Sequence, residues 1–421
     1  MSTVIEFSKH RDEPNVGYDV NHVRSEFPIL SRTMNGKPLV YLDSAASAQR
    51  PQVVIDTIKY VYEHIYANVH RGVYELSQKS TESYEAARGK VANLLNAPKD
   101  RNIVFTRSAT EAINLVANSW GRTFLKSGDD ILLSEMEHHS NIVPWQMLRD
   151  EKDITLSVIP VTDNGDLDYD AFEAMLTDKT KLVAITHMSN ALGTLVDVQR
   201  IIKAAHKVGA KVLVDGSQAV ARMPVDVQAL DADFYVFTGH KLYGPNGTGA
   251  LYAKEELLEA MPPYQGGGEM IREVSFEKST WAPHPAKFEA GTPNIAGSIA
   301  LGTAIDYVLA IGMDNIWAHE QDLLDYATDK LSRINGLRLI GTAPNKGGIL
   351  SFTLKDIHQH DAGMILDNQG IAVRIGHHCA QPLMQRFGVD GTIRASFGMY
   401  TTKDDIDALI TGVQKTQEIF S

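Results

Sequence analysis

One cysteine in 421 residues excludes an intramolecular disulfide, a four-thiolate iron–sulfur site and a CxxC redox pair. The chain has no Walker A motif, and its Gly-Pro-Asn-Gly-Thr-Gly run at 244–249 is not a dinucleotide fingerprint. No apolar run reaches the ~18 residues of a membrane-spanning helix. The opening residues, Met1 to Pro14, lack the apolar stretch of a secretory signal. Positive charge is in deficit: 40 Lys and Arg stand against 52 Asp and Glu, a formal net charge of −12, and no basic cluster relieves it. That balance argues against general nucleic-acid or anionic-membrane binding. A single unpaired thiol fits a reducing compartment, so a cytoplasmic enzyme is the expectation.

What is present is ordinary for a globular chain, 43% hydrophobic and 22% charged, and long enough for two or three domains. Residues 1–20 are polar and read as a loose tail. From about 100 to 255 short apolar runs alternate with helical patterns. The strand candidates are 102–106, 130–133, 155–160, 182–186, 211–214, 234–237 and 249–252, with amphipathic segments such as 111–125 and 198–206 between them. Strands separated by helices predict an α/β fold with a mainly parallel sheet and ligands at the carboxyl ends of its strands. A helical region at 297–334, strands near 337–341, 348–354, 371–375 and 392–397, and a last helix at 403–419 predict a smaller α+β domain beside it.

The lone cysteine sits in Arg374-Ile-Gly-His-His-Cys379-Ala-Gln-Pro. Free cysteine is often a buried filler. Here two imidazoles and Arg374 surround it between glycines, and positive charge favours the reactive thiolate, so Cys379 reads as a nucleophile on a loop. Ser108 and Glu111 have capping-box spacing after the strand ending at 106. That turn is an ordinary N-cap, and it also offers backbone N–H groups to a phosphate. The strand at 211–214 runs into Asp215, with Gln218 three residues on; Asp215 could cap a helix or keep a ring nitrogen protonated. The next strand runs into Thr238-Gly-His-Lys241 and a Gly-rich turn. An Asp at one strand end and a Lys at the next are the two groups a pyridoxal phosphate site needs. His138 and His139 follow the strand at 130–133. They have no partner at zinc spacing, so no metal is expected, and one imidazole stacking on a cofactor ring fits better. Arg394 lies in a strand of the small domain, as a surface residue or as a fork for a substrate carboxylate.

Five motifs in order resemble the group II cysteine desulfurases, within the class V aminotransferase-like, fold-type I pyridoxal phosphate enzymes. They are Glu135-Met-Glu-His-His-Ser-Asn, Asp215-Gly-Ser-Gln, Thr238-Gly-His-Lys-Leu-Tyr-Gly-Pro, Phe288-Glu-Ala-Gly-Thr-Pro-Asn and Arg374-Ile-Gly-His-His-Cys-Ala-Gln-Pro, and the resemblance runs from about Val40 to the C-terminus. It implies a fold-type I transferase with a mainly parallel seven-stranded sheet in a large domain at 37–300, and a small domain from 21–36 and 301–421. It implies a Schiff base between pyridoxal 5'-phosphate and Lys241, with Asp215 on the ring nitrogen, Gln218 on the phenolic oxygen and His138 stacked on the ring. Thr110, Thr238 and His240 would bind the phosphate, Ala109 would give only its backbone, and Thr292 would reach it from a second subunit of a homodimer. Arg394 and Asn190, with Arg374 nearby, would hold the substrate, and Cys379 would take sulfur from L-cysteine as a persulfide. With no second thiol in the chain, a separate acceptor of the SufE or SufU kind would discharge it toward iron–sulfur clusters. A selenocysteine lyase would share almost every residue, a plain transaminase would leave Cys379 incidental, and a non-catalytic scaffold would leave Lys241, Asp215 and Arg394 without a purpose. The N-terminal tail is longer than usual for the family, and Arg107-Ser-Ala-Thr replaces a Gly-Thr-Thr type of turn.

Overall fold

The computed structural model describes residues 18–420. Residues 1–17 of the predicted tail lie outside that range. Tyr18 to Val20 do not belong to a loose segment: Tyr18 stacks on His319 at 4.6 Å and donates to the Met399 carbonyl, and Asp19 caps the helix Val20–Ser25.

Seven strands form the main sheet: β1 Ile103–Thr106, β2 Asp130–Ser134, β3 Thr155–Ile159, β4 Thr180–Thr186, β5 Lys211–Asp215, β6 Phe234–Thr238 and β7 Gly249–Ala253. Their spatial order is β1-β7-β6-β5-β4-β2-β3. The neighbouring pairs from β6 to β3 are parallel, and β7 runs antiparallel between β1 and β6. Apart from the partly exposed edge strand β3, these strands are near-continuous apolar runs because both faces of the sheet are covered. Alternate residues go to opposite sides: Val212 and Val214 join one core, Leu213 the other. Helix α1, Val198–Lys207, shows how a flanking helix is coded. Val198, Ile201, Ile202 and Ala205 are buried at positions i, i+3, i+4 and i+7, one apolar stripe.

A second sheet holds β8 Leu337–Ile340, β9 Ile349–Leu354, β10 Arg374–Gly376 and β11 Thr392–Ser396, antiparallel in the order β8-β9-β11-β10. It has its own core of Leu323, Leu331, Leu350, Phe352, Ile393, Ile406 and Leu409, covered by Lys403–Ile419. The single helical region expected at 297–334 is two helices, Ile295–Ile311 and Met313–Ser332, bent by 72°. Gly312 makes the break at φ +92°, a conformation that L side chains rarely adopt. Ile295–Ile311 packs on Glu75–Leu94, a helix of the main-sheet layer.

Candidate active site

Every strand of the main sheet that contributes to the site does so just past its carboxyl end, where an open α/β sheet leaves a crevice. A cavity of about 210 Å³ is lined by Ser108, Ala109 and Thr110 after β1, His138 and Ser140 after β2, Asn190 after β4, Asp215 and Ser217 at β5, and Thr238, His240 and Lys241 at β6. Arg374 and His378 close it from the small sheet with Arg394, and Ala45 and Ala46 complete the wall. A larger hollow of about 560 Å³ beside α1 is lined by Glu173, Asp197, Arg200 and Lys203 and lies apart from all of these.

The β5 end is built for close approach. Asp215 is buried, and its carboxylate accepts the Ser217 N–H at 3.0 Å. No α-helix follows it, so the helix-cap reading of Asp215 gives way to a local side-chain turn. A Cβ on Gly216 would collide with the Tyr235 ring. At the β6 end Lys241 closes a short turn, Gly239–Lys241. Part of Lys241 meets solvent, yet burial is the main influence on its amine, opposed by Asp215 and reinforced by Arg394, Arg222 and Arg374; together they push it down to about 8.

After β1, Ser108 accepts the Glu111 N–H at 3.3 Å and starts the helix Ala109–Val116. The capping box is only half made. The Glu111 carboxylate turns to the Arg107 N–H at 2.5 Å and the Arg107 side chain at 3.0 Å instead of to Ser108. Ala109 is buried with no polar side chain, so that turn offers backbone N–H groups and the hydroxyl of exposed Thr110.

After β2 the two histidines part company. The His138 Nδ1 accepts the Ser140 N–H at 3.1 Å, which puts the ring proton on Nε2. Burial, then the Lys241 charge, lower its pKa to about 4, so the ring is neutral. The fully buried Glu137 fixes this turn, accepting from Ser134 Oγ at 2.6 Å, Asn141 Nδ2 at 2.7 Å and the Thr186 N–H at 3.0 Å. Its carboxyl is pushed up to about 7 by burial against the pull of those three donors. His139 does not line the cavity. Its backbone N–H donates to the Cys379 carbonyl at 2.7 Å, and its Nε2 accepts the Gln381 N–H at 3.0 Å.

Two arginines face each other across the small sheet, Arg374 on β10 opposite Arg394 on β11. Like charges so placed repel, and Asp43 offsets part of this at 2.8 Å from Arg394 Nη2. Arg394 Nη1 donates to the Asn190 carbonyl at 2.9 Å, and its Nε is buried without a partner. Both arginines line the cavity, and a guanidinium is a group that can bind a carboxylate. Arg374 Nη2 also lies 3.5 Å from Cys379 Sγ. The loop carrying that thiol is strained, with His378 at φ +53° and Cys379 at φ +57°, and non-glycine residues so placed cost about 1–2 kcal/mol each.

Ten of the residues singled out in the sequence line one cavity: Ala109, Thr110, His138, Asn190, Asp215, Thr238, His240, Lys241, Arg374 and Arg394. Cys379 stands beside it on Arg374. Gln218 stands behind the wall, with its Nε2 donating to the Ala45 carbonyl at 2.8 Å and its Oε1 buried and unpartnered. Thr292 is not brought to this cavity within the chain. It lines a separate hollow of about 300 Å³ with Glu111, Gln265 and Glu289. Asp43, Ser217 and His378 are added by the structure; Ser217 and His378 lie inside quoted motifs and Asp43 near the start of the resemblance at Val40, which was the only signal for them.

The cavity fits pyridoxal 5'-phosphate in its donor set. Thr238 Oγ1 and Ser217 Oγ are buried without a partner, and an unmade buried hydrogen bond costs about 1–3 kcal/mol unless a bound group completes it. Comparison with known proteins agrees. Residues 40–409 match the family model described as aminotransferase class-V, and the chain belongs to that family. It is 53% identical over 403 residues to a cysteine desulfurase of Dickeya dadantii, covering 96% of this chain and 98% of the relative. A cysteine desulfurase of Synechococcus elongatus is 50% identical over 402 residues, 96% of this chain, which spans only 64% of that protein's length. The crystal structure of the cysteine desulfurase CsdA (S-sulfonic acid) from Escherichia coli has a TM-score of 0.89 at 42% identity, over 96% of this chain and 99% of that one. Within its family the chain therefore stands among the cysteine desulfurases, and its cofactor is pyridoxal 5'-phosphate.

Proposed function

We propose that this cysteine desulfurase moves the sulfur of L-cysteine onto Cys379 as a persulfide, leaves L-alanine, and passes the sulfur to a separate acceptor protein for iron–sulfur cluster assembly and other sulfur transfer. The observation that carries this reading is the thiol held 3.5 Å from Arg374, on a loop fastened to the turn that bears His138. When bound, pyridoxal phosphate supplies the electron sink that loosens the Cα–H and Cβ–S bonds of an attached amino acid. The rest is done by the chain. Asp215, at the β5 end, would hold a proton on the ring nitrogen, and the neutral His138 would cover the ring. Thr110, Thr238, His240 and the backbone at Ala109 would take the phosphate, and Gln218 would support the phenolic side. Arg394 and Asn190, with Arg374, seat the substrate carboxylate. The Lys241 amine, pushed down to about 8, would carry the cofactor covalently and, when free, would take the Cα proton.

The Cys379 thiolate then attacks the substrate sulfur. A sulfur–sulfur bond forms, the Cβ–S bond breaks, and its electron pair stays on carbon, where protons complete L-alanine. Mass spectrometry after incubation with L-cysteine should show Cys379 heavier by one sulfur, with alanine released in step. Alanine release with an unmodified Cys379 would sink the carrier role.

A homodimer completes the site in this reading. Thr292 sits apart from its own chain's cavity, and residues 66–76 and the hairpin of Ile271–Val274 and Ser279–Trp281 expose Tyr66, Val73, Tyr74, Val274, Phe276 and Trp281. Exposed apolar groups in such number favour a partner surface. Sedimentation should give about twice the 46.4 kDa chain mass; an active species at the single-chain mass would overturn the shared site.

A further inference from the structure

The loop that carries the thiol is closed by one hydrogen bond of its own, from the Ala380 N–H to the His377 carbonyl at 2.9 Å, and the His378 ring meets Thr392 Oγ1 at 2.8 Å. Gly376, His378 and Cys379 all have positive φ, at +98°, +53° and +57°. Two of the three are residues that disfavour that conformation. Further restraint comes from other segments. Asn190 Nδ2 donates to the His378 carbonyl at 2.6 Å, and the His139 N–H donates to the Cys379 carbonyl at 2.7 Å. The third contact is made by a side chain. His139 Nε2 accepts the N–H of Gln381 at 3.0 Å, and Gln381 opens the helix Gln381–Arg386. That N–H belongs to the first turn of a helix and has no partner within it.

The two adjacent imidazoles therefore take different tasks. His138 faces the cavity, while His139 reaches across 242 residues of sequence to bracket Cys379, binding the backbone at 379 and 381. Because the two are neighbours in one turn, the cofactor wall and the thiol loop form one hydrogen-bonded unit. We propose that the His139 side chain is a positioning residue that holds the Cys379 loop in its left-handed conformation and so sets where the thiol stands relative to the cofactor cavity. This rests on Cys379 as the sulfur carrier, and it concerns placement of the thiol alone. His139 touches neither the cavity nor the thiol sulfur.

The test uses the cofactor-loaded enzyme and three forms: wild type, His139→Ala and His139→Gln. Alanine removes the acceptor for the Gln381 N–H and leaves the backbone bond to Cys379. Glutamine restores an acceptor oxygen at similar reach. The expected result in His139→Ala is an unchanged cofactor absorbance and an unchanged spectral response to L-alanine, which has no sulfur to give. Single-turnover formation of the Cys379 persulfide should fall about five- to tenfold, the weight of one ordinary hydrogen bond, and His139→Gln should recover most of the rate. Persulfide formation within about twofold of wild type in His139→Ala would overturn the proposal. So would a parallel loss of the L-alanine response, which would show general damage to the site, or a His139→Gln form no better than His139→Ala. Failure of the wild type to form any persulfide would instead remove the carrier reading on which the proposal stands, an outcome distinct from the other three.

Discussion

Replacing Cys379 by serine stops sulfur removal from L-cysteine and leaves the cofactor in place. The residue lines no part of the 210 Å³ cavity, so cofactor absorbance and its response to L-alanine should be those of the wild type. What is lost is the nucleophile. A serine hydroxyl is ionised far less than a thiol at neutral pH and is the poorer attacking group for sulfur. Nucleophile knock-outs act on a scale of roughly a thousandfold or more, and alanine release from L-cysteine should fall by that much. The variant also keeps the fold: the Cys379 carbonyl ties the loop to His139, a bond serine retains, and only the 3.5 Å contact of the thiol with Arg374 changes. Wild-type turnover by the variant would rule out a persulfide on this residue.

Lysine 241 has the other large effect. Lys241→Ala should abolish turnover and leave any cofactor extractable without chemical cleavage, because no other lysine lines the cavity. Loss of a positioned base alone costs about 10²–10⁴ in rate, and loss of the covalent link adds to it. Borohydride reduction of the wild type followed by peptide mapping should place the pyridoxyl label on Lys241; a label elsewhere would refute the assignment. The same residue sets a pH dependence. Its amine is nucleophilic only when neutral, and its pKa lies below the ordinary lysine value, at about 8. Capture of pyridoxal phosphate by cofactor-free protein should therefore rise about tenfold per pH unit below that point and level off above it. A lysine at its ordinary value would still be gaining at pH 10.

Much of this was legible in the residues. Six of the seven main-sheet strands were readable as apolar runs, because strands covered on both faces keep no polar alternation, and the edge strand Thr155–Ile159 was readable despite its Thr and Ser. Asp215 stood out because it ends such a run, and Lys241 because it follows one and precedes a Gly-rich turn. Other features needed three dimensions. Periodicity carries no strand direction, so nothing marked β7 as the antiparallel member. The half-made capping box shows a local competition: Glu111 prefers the neighbouring Arg107, both its N–H and its guanidinium, to the Ser108 backbone. The pairs that shape the site join distant segments, Asp43 with Arg394 and His139 with Gln381, and no spacing rule connects residues 351 or 242 positions apart. Tyr18 belongs to the same class, since its stacking partner lies at 319.

The loop that bears Thr292 is tied down inside its own chain. Glu289 receives both Nη groups of buried Arg88, at 2.6 and 3.0 Å, and the Phe105 N–H at 2.7 Å. Arg88 in turn is held by Glu85 at 2.8 Å, from the same helix. Ordering a free backbone costs about 1–2 kcal/mol per residue, a penalty that flexible segments meet at the moment they bind. At Glu289 it is met during folding. In the proposed dimer a subunit would thus arrive at its partner with this loop already shaped, and pairing would be a rigid-body encounter whose speed is set by orientation and not by rearrangement of this loop.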